Sequence, residues 1–329
     1  MHLRLPITLL ASLSLRVLSL PLQPHLSNDV KWHNTSSHEN RISRRRTGAT
    51  WNLARISQDG PVSQGKSGAG HSSTSTDWTY FLEDKANGKN VVVYVVDTGV
   101  KASHPELANR VMTVPLSYIP ESSGGNTDDI DGHGTAVAGV IAGLTVGVAN
   151  AVEIIPIKIM AEYYDHMTDT GSHKSNILEG TLEKGITLAT NHFVKERGRR
   201  GSAIINISIT AWKDPRLNLD NAIKMAISQG IHVVIAAGNN GDPTSQGYLL
   251  GGGPGGDVCN IWVPNYGQIS VGATDIHDKM AHFSNFGKCV DVYAPGESIV
   301  TASLDGKLAP IDGTSFAAPH VAGMIAAIR

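Results

Sequence analysis

Aromatic residues are scarce in this chain of 329 residues: Phe, Trp and Tyr together make up 5% of it. A core built mainly from stacked rings is excluded, so burial must come from Val, Ile, Leu and Ala. Only two cysteines occur, Cys259 and Cys289, too few for a small domain stapled by disulfides. Neither sign of charge dominates: the formal net charge is −2 and the pI about 6.7. That leaves no general electrostatic footprint for nucleic acid. No stretch stays apolar over the roughly 20 residues a membrane-spanning helix needs. What is plentiful is glycine, at 35 residues, within a hydrophobic fraction of 41%. Such a chain supports one large, turn-rich domain with a substantial core.

The chain opens with a basic start, Met1-His2-Leu3-Arg4, and a short apolar run to Leu15. This layout predicts a secretory signal over residues 1–20, hence a secreted protein, a cytosolic one being the alternative because Arg16 interrupts the run and no Ala-x-Ala site follows. Residues 21–46 are polar and cannot bury enough apolar surface to order themselves. They contain the glycosylation sequon Asn34-Thr35-Ser36 and end in Arg44-Arg45-Arg46. The tri-arginine reads either as a processing site in an exposed linker or as a solvated charge run.

From Val91 the character changes. Val91 to Val96 is continuously apolar and mostly β-branched, as a parallel strand covered on both faces requires. Similar strands are expected at 203–209, 231–237 and 269–273. Helical periodicity fills the gaps at 135–144, 176–196 and 218–229. Alternating strands and helices predict an α/β fold, three layers deep, with a doubly wound and mostly parallel sheet between helices. The glycine cluster Gly251-Gly252-Gly253-Pro254-Gly255-Gly256 lacks the Lys-Ser/Thr of a phosphate loop and reads as a surface loop.

Four residues at element ends carry the chemistry. Asp97 closes the first strand, where open parallel sheets place their sites. His133 lies between glycines just before a small-residue helix. Asn239 follows the apolar strand ending Ala236-Ala237-Gly238. Ser315 sits where a glycine turn leads through small residues into the apolar run from Val321 to Ile328. Each has an ordinary alternative: Asp97 and Ser315 as caps, Asn239 as a turn residue, His133 as one of 14 histidines. Together they supply a nucleophile, a base, an orienting acid and an oxyanion donor.

At this level of detail the chain resembles the subtilisin-like serine proteases, the subtilases, and most closely the secreted fungal branch of proteinase K and cerevisin. The resemblance rests on VVDTGV (95–100), DGHGTAVAG (131–139), IAAGNN (235–240), FSNFGKCVDVYAPG (283–296) and GTSFAAPHVAG (313–323). Thr50 to Ser57 resembles the start of the mature enzyme in that branch, which makes residues 47–329 the peptidase domain. The resemblance implies Asp97, His133 and Ser315 as the triad, with Asn239 and the Ser315 N–H as the oxyanion donors. It implies that Ser208, Ile209 and Thr210 pair with an extended substrate, and that Ala236, Ala237 and Gly238 line the primary specificity pocket. Polypeptides are then the substrates, specificity is broad, the protein is a monomer, and no cofactor is required.

The same resemblance pairs Cys259 with Cys289, free thiols being the alternative. It makes Asp291 a ligand for a structural calcium, with main-chain oxygens near Tyr266 and Gln268; a turn or cap role for Asp291 stands beside that.

Departures are visible too. Ser208-Ile209-Thr210-Ala211 stands where relatives read Ser-Leu-Gly-Gly, and Ala136-Val137 stand where they carry a second His and often a Cys. A folded inhibitory prodomain does not fit into residues 21–46, and the chain stops at Arg329, where relatives continue, so a C-terminal truncation is expected. Two functions follow: an active secreted serine endopeptidase, or a non-catalytic subtilase-like protein acting at most as a binding module.

Overall fold

The structure is a computed structural model and describes residues 32–35, 43–58, 78–83, 87–112, 116–117, 128–164, 173–177, 180–209, 218–242, 256–261 and 266–329. The expected signal, Ser36 of the sequon, most of the glycine cluster, and Thr210 with Ala211 lie outside these residues.

The N-terminal part holds β1 (Trp32–Thr35), β2 (Ser43–Ala49), α1 (Trp51–Arg55), β3 (Trp78–Glu83), β4 (Val91–Asp97) and β5 (Leu116–Ser117). The middle holds α2 (His133–Ala142), β6 (Glu153–Lys158), β7 (Met160–Tyr164), β8 (His173–Ile177), α3 (Thr181–Asn191), β9 (Ser202–Ile207) and α4 (Asn218–Ser228). Then follow β10 (His232–Ala236), α5 (Val258–Ile261), β11 (Ile269–Thr274), β12 (Val292–Pro295), β13 (Ile299–Ala302), β14 (Leu308–Ile311) and α6 (Thr314–Ala327).

Seven strands form one parallel sheet in the order β12-β11-β10-β9-β4-β6-β5. The chain leaves β4 toward β6 and returns to β9 on the other side of β4. The order therefore reverses beside β4, where the strand C-termini open a crevice. Every residue of β4 is buried, and alternation sends its side chains into two cores. Val91, Val93 and Val95 pack in the core that contains α2 and α6, while Val92, Tyr94 and Val96 pack with α3 and α4. Burying each such side chain contributes roughly 1.5–3 kcal/mol. This is the expected three-layer, doubly wound arrangement.

α6 is apolar on nearly all sides, which marks a core helix rather than an amphipathic one. All of its residues from Phe316 to Ala327 except Met324 are buried, and it packs against α2 and against β9 to β12. Those contacts hold the helix that carries Ser315.

Two expectations change. The helix expected over 176–196 starts only at Thr181, because Asn176 and Ile177 belong to β8 and Gly180 takes a left-handed turn with φ 77. Its last turn, His192–Glu196, widens into a π-helix. Residues 32–35 and 43–46, expected to be too polar to order themselves, instead form β1 and the start of β2. The tri-arginine, expected in an exposed linker or a solvated run, runs through β2, the central strand of the antiparallel sheet β1-β2-β3, whose pairing with β3 supplies the order that the segment's own apolar surface does not. Arg45 is exposed but Arg46 is buried, because successive side chains of a strand point to opposite faces. β2 thus crosses the expected domain start at Thr47.

Cys259 and Cys289 form a disulfide across 30 residues of sequence. In the chain-entropy account, closing a loop of that size stabilises the fold by about 3–4 kcal/mol. It ties α5 to the segment that leads into β12.

Candidate active site

Asp97 stands at the C-terminal end of β4 and is fully buried. Its Oδ1 accepts the Thr98 N–H at 2.8 Å and faces His133 Nδ1 at 2.8 Å. His133 is the first residue of α2, behind Gly132 at φ 100. Gly134 is required here by close approach: a Cβ at that position would lie 2.1 Å from Gly99 O and 3.1 Å from Asp97 Cβ. Any larger residue would push α2 away from β4 and separate the imidazole from the carboxylate.

Burial alone would lower the His133 pKa. The charge and hydrogen bond of Asp97, with the carboxylates of Asp131 and Asp129 behind, outweigh it and raise the pKa above its ordinary value. The ring remains 26% exposed, so it can reach a ligand in the crevice. A base with a raised pKa accepts a proton more readily.

Asp129 holds this corner together, a role that the sequence reading missed. Its buried carboxylate accepts the Thr98 hydroxyl at 3.0 Å, the Asp131 and Gly132 N–H groups at 3.2 and 2.8 Å, and the Thr135 N–H at 2.9 Å. The Thr135 hydroxyl donates to it as well. Thr98 completes the knot by accepting the Gly134 N–H at 2.9 Å. Hydrogen bonds to a buried charge contribute roughly 1.5–3 kcal/mol each, so the turn that aims His133 is rigid.

Ser315 is the second residue of α6, so its N–H is one of the four that a helix start leaves without an intrahelical acceptor. Its hydroxyl does not cap the helix. It donates to Ser208 O at 2.8 Å, and Ser208 Oγ donates back to Ser315 O at 2.6 Å. Pro319 explains the second bond: lacking an N–H, it leaves the Ser315 carbonyl without its i+4 partner. Asn206 Nδ2 in turn donates to Ser208 Oγ at 2.9 Å. Among the described residues no hydrogen bond joins Ser315 Oγ to His133; the His133 ring lies beside that of Phe316, the residue after Ser315, with centroids 5.5 Å apart. A nucleophile and base that tighten only around a substrate are common in unliganded sites.

Asn239 follows β10, beside the start of α6. Its Oδ1 accepts both the N–H and the hydroxyl of Thr314, at 2.9 and 2.8 Å, and Thr314 Oγ1 accepts the Gly238 N–H at 3.0 Å. With the carboxamide oxygen fixed on Thr314, the amide nitrogen is turned the other way, beside Gly313. Asn285 fixes the same loop from below: its Nδ2 donates to Ala237 O, its N–H to Gly238 O, and its Oδ1 accepts the Asn240 N–H, all within 2.9 Å. Thr314 and Asn285 both lie inside motifs that the sequence reading quoted, but their partners are 75 and 48 residues away.

The structure therefore brings Asp97, His133, Asn239 and Ser315 to one edge of the sheet, with Ser208, Ile209, Ala236, Ala237 and Gly238 on the strand ends between them. Ile209, Ala236 and Ala237 are buried. Asp291 lies elsewhere: it precedes β12 and accepts the Ser270 N–H at 2.8 Å, at the N-terminal edge of the sheet. Among the described residues no group of three or more His, Cys, Asp and Glu side chains is arranged to hold a metal ion.

Behind Ser315, His320 is fully buried, with Nδ1 2.7 Å from Phe316 O and Nε2 2.7 Å from Asn52 Nδ2. These partners fix a neutral tautomer: Nδ1–H donates to the carbonyl and Nε2 accepts from the amide. Burial pushes its pKa down to about 4, the carbonyl acting the other way. An unfolded histidine titrates near about 6.5, so between these values the unfolded chain binds more protons. Stability is then fully present above pH ~6.5 and falls as the pH drops toward 4, by roughly 3 kcal/mol. His133, with its pKa raised, acts in a separate window above ~6.5, where its contribution is lost as the pH rises. Urea midpoints measured from pH 7 to pH 4 should show the acid loss, and His320→Leu should remove that component of the slope.

Comparison with known proteins agrees with this geometry. A family model described as the subtilase family, peptidase S8, matches residues 88–329. The chain is 32% identical over 284 residues to a subtilisin-like serine protease of Rhodotorula mucilaginosa, covering 84% of this chain and 70% of that protein. It is 32% identical to cerevisin of Saccharomyces cerevisiae, covering 84% of this chain and 38% of cerevisin. With proteinase R of Parengyodontium album it shares 33% identity, covering 87% and 61%. The chain thus spans under two thirds of the length of the last two. A crystal structure of a cold-adapted subtilisin-like serine proteinase superposes with a TM-score of 0.60 at 29% identity, covering 85% of this chain and 84% of that one. Shared motifs, parallel-sheet topology and family match coincide on the same residues, and the chain belongs to the subtilase family of serine proteases.

Proposed function

We propose that this chain is a secreted serine endopeptidase of broad specificity, acting as a monomer on polypeptides through an acyl-enzyme. The observation that carries the reading is the 2.8 Å pairing of His133 Nδ1 with a fully buried Asp97, on the sheet edge where α6 presents Ser315. Ser315 Oγ attacks the scissile carbonyl as His133 Nε2 takes its proton. The negative oxygen that forms is met by Asn239 Nδ2 and the Ser315 N–H. His133 then gives the proton to the leaving amine, and water releases the acyl group by the same steps in reverse. An extended peptide pairs along Ser208 to Thr210 and sets its primary side chain against Ala236 to Gly238. Among the described residues no helix is long and apolar enough to cross a membrane, and the relatives named above are proteases. Purified protein should show a burst of leaving group from an activated peptide ester, followed by slower turnover. Absence of both from folded protein would contradict the reading.

The reaction requires no cofactor. A structural calcium is a separate proposal, with Asp291 as its carboxylate and carbonyl oxygens near Tyr266 and Gln268 as partners. Burial raises the Asp291 pKa although the Ser270 N–H lowers it, so a cation beside it would favour the ionised form. Chelation should lower Tm in the parent protein and leave Asp291→Asn unmoved; equal shifts would remove Asp291 as the ligand.

A further inference from the structure

The tri-arginine carries the charge that attracts a processing protease, yet its last residue is built into the fold. Arg46 is 1% exposed. Its Nη1 and Nη2 donate to Leu144 O at 3.0 Å and Gly147 O at 3.1 Å, in the turns after α2, and its guanidinium lies 5.1 Å from the centroid of the Tyr80 ring. Tyr80 is anchored in the same place, its hydroxyl donating to Val148 O at 2.8 Å. The Arg46 backbone is paired on both sides, opposite Trp32 in β1 and Tyr80 in β3.

The next residues continue as a strap across the domain. Trp51 Nε1 donates to Ser298 O at 3.3 Å, Asn52 Nδ2 reaches His320 Nε2 at 2.7 Å, and Arg55 Nη2 holds both oxygens of Asp278 at 3.0 and 2.9 Å. Through Asn52 the strap touches α6, the helix of Ser315. Arg46 is its upstream anchor.

Hydrolysis of the Arg46–Thr47 bond would add one water, leaving a carboxylate on Arg46 and an ammonium on Thr47. The cutting enzyme would have to seat the Arg46 side chain in its own pocket and hold the flanking backbone extended. Both are already engaged inside this protein. We propose that Arg46 is a structural anchor retained in the folded protein, and that processing of the tri-arginine does not occur at the Arg46–Thr47 bond. The inference is independent of the catalytic reading, except that the strap it preserves supports the catalytic helix.

Limited trypsin digestion of the full chain, read by N-terminal sequencing and intact mass, tests it. The Arg46–Thr47 bond should survive, so the resistant core keeps Arg46. Arg46→Lys keeps a trypsin site but loses the planar fork that bridges two carbonyls. It should be cut after position 46 about ten-fold faster, since cleavage follows the population of the opened segment. A stable parent core beginning at Thr47, or equal cleavage rates in parent and variant, would overturn the proposal. Labelling of the same samples with a fluorophosphonate reports separately on the peptidase reading.

Discussion

Asp97→Asn should lower kcat by about 10⁴-fold while leaving KM nearly unchanged. The reason is specific to this geometry. Asp97 Oδ1 serves both the Thr98 N–H and His133 Nδ1, so an amide oxygen in its place could keep both hydrogen bonds and the imidazole tautomer. What the substitution removes is charge. Asp97 is fully buried, and its field is little screened by solvent. In the proposed mechanism the imidazolium formed when His133 takes the Ser315 proton would then have no comparable partner. The second oxygen, Oδ2, has no hydrogen-bond partner among the described residues, so the new amino group would also sit unsatisfied. Two readouts separate these effects. The His133 pKa, now raised chiefly against burial by Asp97, should fall, moving the acid limb of kcat/KM to lower pH. Circular dichroism should remain that of the parent. A variant that keeps the parent rate would show that Asp97 is not the orienting acid.

Asn239→Leu should reduce kcat by about 10²–10³-fold with little change in KM. That magnitude comes from a member of this same family rather than from the present geometry. The geometry adds the cause of orientation. Thr314 offers two donors to Asn239 Oδ1, from its N–H and its hydroxyl, and so leaves the amide nitrogen facing the turn before Ser315. Leucine would remove the proposed oxyanion donor and leave both Thr314 donors without their acceptor, so Tm must be followed beside turnover. Thr314→Val separates the two, because it keeps the amide but loses the hydroxyl that pins it. Its kcat should fall less than that of Asn239→Leu. Equal losses in the two variants would assign the effect to the structure of the loop, whereas an unaffected Asn239→Leu would exclude the carboxamide from the oxyanion site.

Much of this site is legible in the sequence because its residues sit at element ends marked by strong local signals. The β-branched run before Asp97 predicts a strand buried on both faces, and β4 is buried throughout. The glycines around His133 and before Ser315 mark turns into helices, where α2 and α6 begin. Partners set by tertiary contact were not legible. Asp129 reads as one acidic residue among several until the chain folds it beneath Thr98 and Thr135. Arg46 reads as part of a charge run because nothing local announces carbonyls 98 and 101 residues away. The Asn52–His320 contact spans 268 residues. The expected helix from 176 failed for a local reason, since apolar spacing alone does not register Gly180 taking a left-handed conformation.

The central claim is that Ser315 is an activated nucleophile and not merely a residue at a helix start. Its resting hydrogen bond to Ser208 O does not decide this; reactivity does. A fluorophosphonate captures only a serine whose proton is removed as it attacks, so labelling of the folded, purified protein is the direct measurement. Labelling should be stoichiometric, should map to the peptide containing Ser315, and should vanish in Ser315→Ala with the fold unchanged. Folded protein that stays unlabelled, or a label that persists in Ser315→Ala, would contradict the account.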